Sequence, residues 1–252
     1  MTSVSNVAVG AFLAGNAAAK ARHGMNEAIA RLSTGVRAMY GGDAAGASVG
    51  HVLRADGRGA LMAARNVEDG ISFLQAGESA LLELAALNTR LRELAVQKLN
   101  ADFLDDNQDG AIGAEETAIV TAAGKIDNSA INGVSVLTAA IGFTIDMDGN
   151  LSTVGAAADI ALAAGVANTK TQGGKIAKAL GSMAAGISAL KGHQGTLYAL
   201  SANAEAAAAR VTDTDFARSS ADLAKFSILN QSAMAMVSQA NQANAAVLAV
   251  LQ

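Results

Sequence analysis

The sequence predicts a mainly α-helical fold, a long antiparallel coiled-coil rod of helices with a small central β-hairpin region. Alanine is abundant and proline is absent. This composition favours long helices, because alanine has the highest helix propensity and proline the lowest. Both ends of the chain carry small or apolar residues at alternating intervals of three and four, which is the spacing of a coiled-coil seam. Short β-prone runs occur in the middle of the chain.

The N-terminal end predicts a first helix from about Asn6 to Val36. Its seam positions are Val7, Ala11, Ala14, Ala18, Ala21, Met25, Ala28 and Leu32. The segment Tyr40-Gly41-Gly42-Asp43 predicts a turn, since its two glycines can adopt backbone conformations that other residues disfavour. Helix resumes near Ala44, and a second pair of glycines within Asp56–Gly59 predicts an interruption there.

The next segment predicts a long helix from about Asn66 to Leu104, followed by an acidic connector and a helix over about Ala114–Asp127. The apolar face of the long helix consists of Ile71, Leu74, Leu81, Leu84, Leu87, Leu91 and Leu94. Intervals of three and four residues place these side chains on one side of a helix.

The centre of the chain, about residues 131–154, predicts a β-hairpin. Its β-prone runs are Val134–Leu137, Phe143–Ile145 and Leu151–Val154. The Asp148-Gly149 pair between the last two runs is a hairpin-turn signal.

The C-terminal part predicts two more helices. The first covers about Lys175–Val211, and the capping signal Thr212-Asp213-Thr214-Asp215 begins the second. Its seam positions are Phe226, Leu229, Ala233, Met236, Ala240, Ala243, Val247 and Val250.

The two ends of the chain carry no charged side chains, in residues 1–19 and 226–252. A coiled-coil stripe on an isolated helix is unstable in water and needs a partner that covers it. The sequence therefore predicts a chain that associates with copies of itself through these ends.

Composition argues against several other classes of protein. The net charge of −4 and the mixing of charge signs exclude the basic footprint of a nucleic-acid-binding protein. The amides near the C-terminus argue against insertion into a membrane, and no positive segment precedes the apolar start, so a cleaved signal peptide is not expected. The histidines lack metal-ligand spacing, and no catalytic motif is present, so no enzyme is predicted.

The segment 105–116 matches the twelve-residue loop of an EF-hand. Its predicted calcium ligands are Asp105, Asn107, Asp109, the carbonyl of Ala111 and the carboxylate of Glu116. Gly110 stands at the position of the sharp turn, and Ile112 at the apolar position. The sequence therefore predicts one weak calcium site, with an ordinary solvated acidic connector as the alternative.

Several motifs resemble bacterial flagellin. In the N-terminal half they are "RLSTGVRAMYGGDAAGASVG", "RNVEDGISFLQAGESALLEL" and "RLRELAVQ"; "INGVSVL" follows, and the segment from Val211 to Gln252 is similar to the C-terminal half of that family. The middle is short, so the outer variable domains of many flagellins are expected to be absent.

The resemblance implies three segments. Residues 1–42 and 212–252 would be the two halves of a filament-core coiled-coil domain, and residues 43–211 a helical rod domain that contains the hairpin and the EF-hand-like loop. It further implies a secreted homopolymer, the extracellular flagellar filament used in swimming motility. The implied partners are the flagellar type III export apparatus, a flagellin export chaperone, and the filament cap and hook-junction proteins.

Two further inferences follow from the resemblance. Arg90 and Leu94 match the family segment that a host innate flagellin receptor recognises, although packing of a rod helix needs the same residues. A hook–filament junction protein, which shares terminal seams, and a soluble calcium-binding module remain as alternative functions.

Overall fold

The computed structural model describes residues 2–37, 42–138, 140–146, 148–155 and 160–250, with the backbone alone for residues 2–8, 101, 154, 155, 244, 247, 248 and 250. The helices are α1 (Thr2–Thr34), α2 (Ala44–Lys98), α3 (Asp106–Asp127), α4 (Val166–Thr212) and α5 (Phe216–Val250), with a 3-10 turn at Ala101–Phe103. The strands are β1 (Ala130–Ile131), β2 (Val134–Ser135), β3 (Ala140–Thr144) and β4 (Leu151–Gly155). The predicted mainly α fold with a small β region is confirmed.

The described chain forms two compact units. The first unit comprises residues 1–54 and 205–252, and the second comprises residues 55–204. The sequence-based boundaries, after residues 42 and 211, fall inside the first unit. Arg54 lies in the first unit because its guanidinium reaches Asp213 at 3.2 Å and the hydroxyl of Thr212 at 3.0 Å.

The core of the second unit lies between α2 and α4, which run antiparallel. Its largest buried side chains are Leu74, Leu81, Leu84, Leu91, Met183 and Leu190. Asn88 of α2 is buried among them and donates its side-chain amide to the carbonyl of Thr169 on α4 at 3.0 Å. A buried polar pair of this kind favours one helix register, because any other register leaves the amide unpaired.

The central β region consists of two hairpins instead of the single one predicted. β1 pairs with β2 across a turn at Asn132 and Gly133, both with positive φ angles of 52° and 77°. β3 pairs with β4 in antiparallel register from Ala140↔Gly155 to Thr144↔Leu151.

The Asp146 carboxylate holds the turn between β3 and β4. It accepts the backbone N–H groups of Asp148 at 3.0 Å and Asn150 at 2.8 Å. The side-chain amide of Asn150 donates to the same carboxylate and lowers the pKa of Asp146, because these bonds favour the charged form. The predicted Asp-Gly turn signal is confirmed at this hairpin.

α1 begins at Thr2 and α2 ends at Lys98, a few residues before the predicted positions, and four larger or better explained differences concern the helices. α1 ends at Thr34, because Gly35 takes a positive φ of 70° and donates its N–H to the Arg31 carbonyl at 2.9 Å. α2 continues through Asp56–Gly59 without interruption, since buried Ala60 and Ala64 pack there and offset the weak helix propensity of glycine.

The other two differences concern α3 and α4. α3 begins at Asp106 and α4 at Val166, each about eight or nine residues earlier than predicted. The predicted start of the last helix is confirmed within a residue, because Asp215 caps α5 by accepting the N–H of Arg218 at 3.1 Å. The predicted turn at residues 40–43 lies partly outside the described residues, but Asp43 caps α2 through the N–H of Gly46 at 2.8 Å.

The first unit is built on the antiparallel pairing of α1 with α5. Ala18, Ala21 and Ala28 of α1 and Ala233 of α5 are buried. The ring of Phe226 lies so close to Gly24 that a Cβ there would approach its Cζ atom to 2.6 Å. Small residues therefore set the distance between the two helices.

Backbone hydrogen bonds join the far ends of the same pair. Val36 and Asp213 form an isolated antiparallel bridge. The N–H of Arg37 donates to the Thr212 carbonyl at 2.7 Å, and the N–H of Thr214 donates to the Gly35 carbonyl at 2.9 Å. The side chain of Arg37 adds an ion pair with Asp43 at 2.7 Å.

Truncation of the core between α2 and α4 should destabilise the second unit. Leu84→Ala removes a fully buried side chain, so we expect the free energy of unfolding to fall by about 2–5 kcal/mol. Chemical denaturation followed by circular dichroism measures this change. The control Leu82→Ala removes a side chain that is 57% exposed on the same helix and should change the value by about 0.5 kcal/mol or less. Equal effects would contradict the assignment of the core.

Enlargement of Gly24 should loosen the pairing of α1 with α5. In Gly24→Ala the new methyl group overlaps the Phe226 ring, so we expect a loss of about 1–3 kcal/mol. Hydrogen exchange of the α1 amides measures it. The matched control Gly15→Ala meets no atom within 4 Å and should slow exchange, since alanine favours helix by about 0.5–1 kcal/mol. Slower exchange in both variants would show that this close contact is absent.

Candidate self-association surface

The two predicted seams face each other within one chain. The described seam side chains that are buried are Ala18, Ala21, Ala28 and Ala233; those partly buried are Ala11, Ala14, Met25, Leu32, Phe226 and Ala240; those exposed are Leu229, Met236 and Ala243. The side chains of Val7, Val247 and Val250 lie outside the described residues. Each seam therefore covers much of the other, and burial is most complete towards the middle of α1.

Large apolar side chains remain exposed beside this pairing on both helices. On α1 they are Val9, Phe12, Leu13 and Ile29, and on α5 beyond Phe226 they are Ile228, Leu229, Met234 and Met236. All are between 46% and 70% exposed. Isolated exposed apolar residues are ordinary on protein surfaces, but several of them on one pair of helices, three of which line a shared groove, indicate an interaction site. We call these eight residues the outer apolar surface.

An open groove runs between the two helices near the start of α1. Its lining is Gly10, Leu13, Ala14 and Ala17 from α1 and Leu229, Ser232, Ala233, Met236, Gln239, Ala240 and Ala243 from α5. Glycine and alanine leave its floor low, while Leu13 and Met236 rise at its sides. The groove is therefore an apolar concavity that a neighbouring side chain could fill.

The polar groups near this surface are uncharged amides. Gln231, Gln239, Asn241 and Gln242 are exposed, or lie at the margin of the groove, on α5. Among the described side chains, the Asn230 carbonyl oxygen is buried without a hydrogen-bond partner. Amides can donate and accept hydrogen bonds without the desolvation penalty of a charge, which suits a helix–helix contact.

The seam pattern did not identify Phe12, Leu13, Ile228 and Met234, which fall between its positions. Their signal in the sequence is a large apolar side chain off the seam, in a segment without charged residues. Heptad spacing selects the residues at the centre of the contact with the first partner helix, whereas these residues stay largely exposed beside it. Surfaces for further neighbours are therefore found off the seam.

The segment 105–116 is not a loop, so the predicted EF-hand conformation is wrong. Asp105 caps α3, because its carboxylate accepts the N–H of Gln108 at 2.8 Å. In turn, the side-chain oxygen of Gln108 accepts the N–H of Asp105 at 3.4 Å. This reciprocal capping box starts the helix at Asp106, where the EF-hand pattern requires extended backbone. The same acidic residues that can bind calcium are also good helix N-caps.

The predicted calcium ligands have other partners. The Lys98 ammonium lies 3.7 Å from Asp109 and 3.5 Å from the buried carboxylate of Glu116. Asn107 and Ala111 are exposed in the first two turns of α3. Within the described ranges no three histidine, cysteine, aspartate or glutamate side chains gather as metal ligands. This helical arrangement does not fit calcium, and binding stays a prediction.

Arg90 and Leu94 lie on α2 in different environments. The Arg90 guanidinium forms ion pairs with Glu115 at 2.7 Å and Glu93 at 3.1 Å, and these carboxylates raise its pKa. The Leu94 side chain is 1% exposed and is therefore unavailable to a receptor in this conformation. Its position supports the packing role for Leu94, and receptor recognition stays a prediction.

Among the described helices, none combines the length and apolar character needed to cross a lipid bilayer.

Comparison with protein families gives a match for each end of the chain. The profile of the bacterial flagellin N-terminal helical region matches residues 6–141, and the profile of the bacterial flagellin C-terminal helical region matches residues 166–251. Together these matches cover most of the chain, including all of α5 and all of α1 except residues 2–5.

Individual relatives match nearly from end to end. The chain is 31% identical to a flagellin of Halalkalibacterium halodurans over 90% of this chain and 91% of the relative. It is 30% identical to the flagellar filament 30.7 kDa core protein of Treponema maltophilum, over 84% of this chain and 87% of the relative. Flagellin FlaB2 of Treponema pallidum is 29% identical, over 89% and 91% respectively.

The paired terminal helices, their outer apolar surface and the matches at both ends lead to one conclusion: the chain belongs to the bacterial flagellin family and is a structural subunit of the extracellular flagellar filament.

Proposed function

We propose that copies of this chain associate through the outer apolar surface and the groove of α1 and α5, and that these helices form the interior of the filament. The observation that carries the proposal is the exposure of large apolar side chains on two paired helices whose end segments, residues 1–19 and 226–252, carry no charge. In this arrangement α1 and α5 bury their small residues against each other, and a neighbouring copy covers the side chains that point outwards.

The energy available from such contacts is adequate for assembly. Complete burial of a side chain such as Phe12, Ile228 or Met236 contributes about 1.5–3 kcal/mol. Each subunit in a polymer meets several neighbours, so contacts on both sides of the helix pair add together. The groove offers a place for a large side chain from the next copy, because its floor is glycine and alanine.

The mechanical role follows from this cohesion. A tube whose subunits adhere through many small apolar contacts can transmit torque along its length, and we infer that the filament serves swimming motility. From the family resemblance we also infer delivery by the flagellar type III export apparatus with an export chaperone, and contact with cap and hook-junction proteins. The reported relatives carry flagellin or filament-core names, which favours the filament subunit over the junction protein.

A charge placed on the groove should prevent assembly. In Met236→Asp a carboxylate replaces a thioether that is 63% exposed and lines the groove. Burial of an unpaired carboxylate against a neighbour is strongly unfavourable. We expect seeded polymerisation to be lost, as measured by sedimentation and electron microscopy, and Ala240→Asp should behave in the same way.

The matched control for this experiment is Met62→Asp. Met62 is 52% exposed on α2 and belongs to the second unit, outside the proposed surface. This variant should still polymerise, and all three variants should retain the unfolding transition of the second unit. Normal filaments from Met236→Asp would refute the proposed contact.

Calcium binding at residues 105–116 requires the first two turns of α3 to unwind. The capping box of Asp105 and Gln108 and the ion pairs of Lys98 oppose that change. If the EF-hand prediction holds, calcium titration should bind with a Kd of about 10⁻⁴–10⁻³ M, lower the helical circular dichroism signal and raise the Tm, and Glu116→Gln should remove all three effects. No heat of binding and an unchanged spectrum would leave capping as the whole role of this segment.

A further inference from the structure

Two exposed methionines lie on the helix that carries the proposed contact. Met234 is 54% exposed and Met236 is 63% exposed, both in α5. Met183, in contrast, is 1% exposed in the core between α2 and α4. A thioether is an easily oxidised group, and its oxidation requires that the oxidant reach the sulfur atom. Met234 and Met236 therefore differ sharply from Met183 in access.

The surroundings of Met234 and Met236 make their polarity important. Residues 226–252 contain no charged side chain, and Met236 stands beside alanines at the rim of the groove. A helix turns by about 100° per residue, so Met234 and Met236 flank the buried Ala233 on opposite sides. Contacts on either side of α5 therefore include one of these thioethers.

We propose that Met234 and Met236 are modification sites at which peroxide or hypochlorite oxidises the free chain and prevents its entry into the polymer. With hydrogen peroxide, the sulfur lone pair attacks one peroxide oxygen and the O–O bond breaks. A sulfur–oxygen bond forms, and the departing hydroxide takes a proton to become water. The sulfur loses two electrons, and the peroxide gains them.

The product explains the loss of assembly. A sulfoxide is a strong hydrogen-bond acceptor, whereas the thioether it replaces is a soft apolar group. Close packing of a neighbouring copy over α5 would bury this acceptor among alanine and leucine side chains. Burial of a polar group without a partner is unfavourable, so an oxidised subunit pays this penalty at each contact it tries to form. Once a copy is assembled, the same packing shields its methionines from the oxidant.

This inference rests on the proposed association through α5. Its test uses the wild-type chain with internal controls. Free chain is treated with hydrogen peroxide until about half of the molecules carry a sulfoxide, quenched, and seeded to polymerise. Pellet and supernatant are then digested with trypsin and compared by mass spectrometry.

Trypsin cleaves after lysine and arginine, so the methionines to be compared lie on different peptides. Residues 59–65 form a peptide with Met62 alone, residues 179–191 a peptide with Met183 alone, and residues 226–252 a peptide with Met234 and Met236. Fragment ions distinguish the last two. Met62 is 52% exposed and lies outside the proposed surface, so it controls for access of the oxidant.

We expect sulfoxide at Met234 and Met236 to be enriched about tenfold or more in the supernatant over the pellet. Sulfoxide at Met62 should divide equally, and Met183 should stay unmodified, which shows that the core is intact. Equal division of all sulfoxides would overturn the inference while leaving the proposed function in place. Failure of the untreated chain to polymerise would instead count against the proposed function itself.

Substitution provides a second measurement. For each protein the minimum concentration that polymerises is determined before and after oxidation, and the ratio of the two values is compared. The ratio should be about tenfold or more for wild type and for Met62→Leu, and near one for the double variant Met234→Leu/Met236→Leu. A large ratio in the double variant would place the sensitive group elsewhere and overturn the inference.

Discussion

The close approach of α1 and α5 is the constraint on which the first unit depends. Helices lined by glycine and alanine can approach closely, and the ring of Phe226 over Gly24 shows how little space remains between them. Contacts between small side chains bury little apolar area each, so one pair of helices gains only modest stability. The larger apolar side chains stay exposed instead, and in the proposed assembly neighbouring copies cover them.

The second unit buries a core of large apolar side chains within itself. Leucine and isoleucine fill the space between α2 and α4, and the buried amide of Asn88 selects their register by its bond to Thr169. A core of large side chains needs no neighbour for its stability. The chain thus combines a unit with a core of large buried side chains and a unit that leaves large apolar side chains exposed.

The acidic segment after α2 illustrates how one pattern of residues can serve two structures. Aspartate and asparagine at alternate positions can surround a calcium ion, but the first of them can equally cap a helix. In the folded chain Asp105 and Gln108 satisfy each other's backbone groups, and the Lys98 ammonium lies within ion-pair distance of Asp109 and Glu116. The side chains of Asp105, Asp109 and Glu116 therefore have hydrogen-bond or ion-pair partners within the folded chain, in the positions where an EF-hand would use them as calcium ligands.

Sequence alone was sufficient to predict a mostly helical chain, the turn before β4, the cap at Asp215 and the spacing of the seams at the two ends, because periodicity and capping are local properties. It also identified the family, since several motifs occur in order. Tertiary structure alone decided that the seams cover each other and that Phe12 and Ile228 face outwards, because this depends on which faces of two distant helices meet. The start of α3 at Asp106 rests on a local capping box, Asp105 with Gln108, although the same residues also match an EF-hand loop. Tertiary structure decided, in contrast, that α2 passes through its glycines, since the packing of buried Ala60 and Ala64 is a set of contacts that no short window of residues contains.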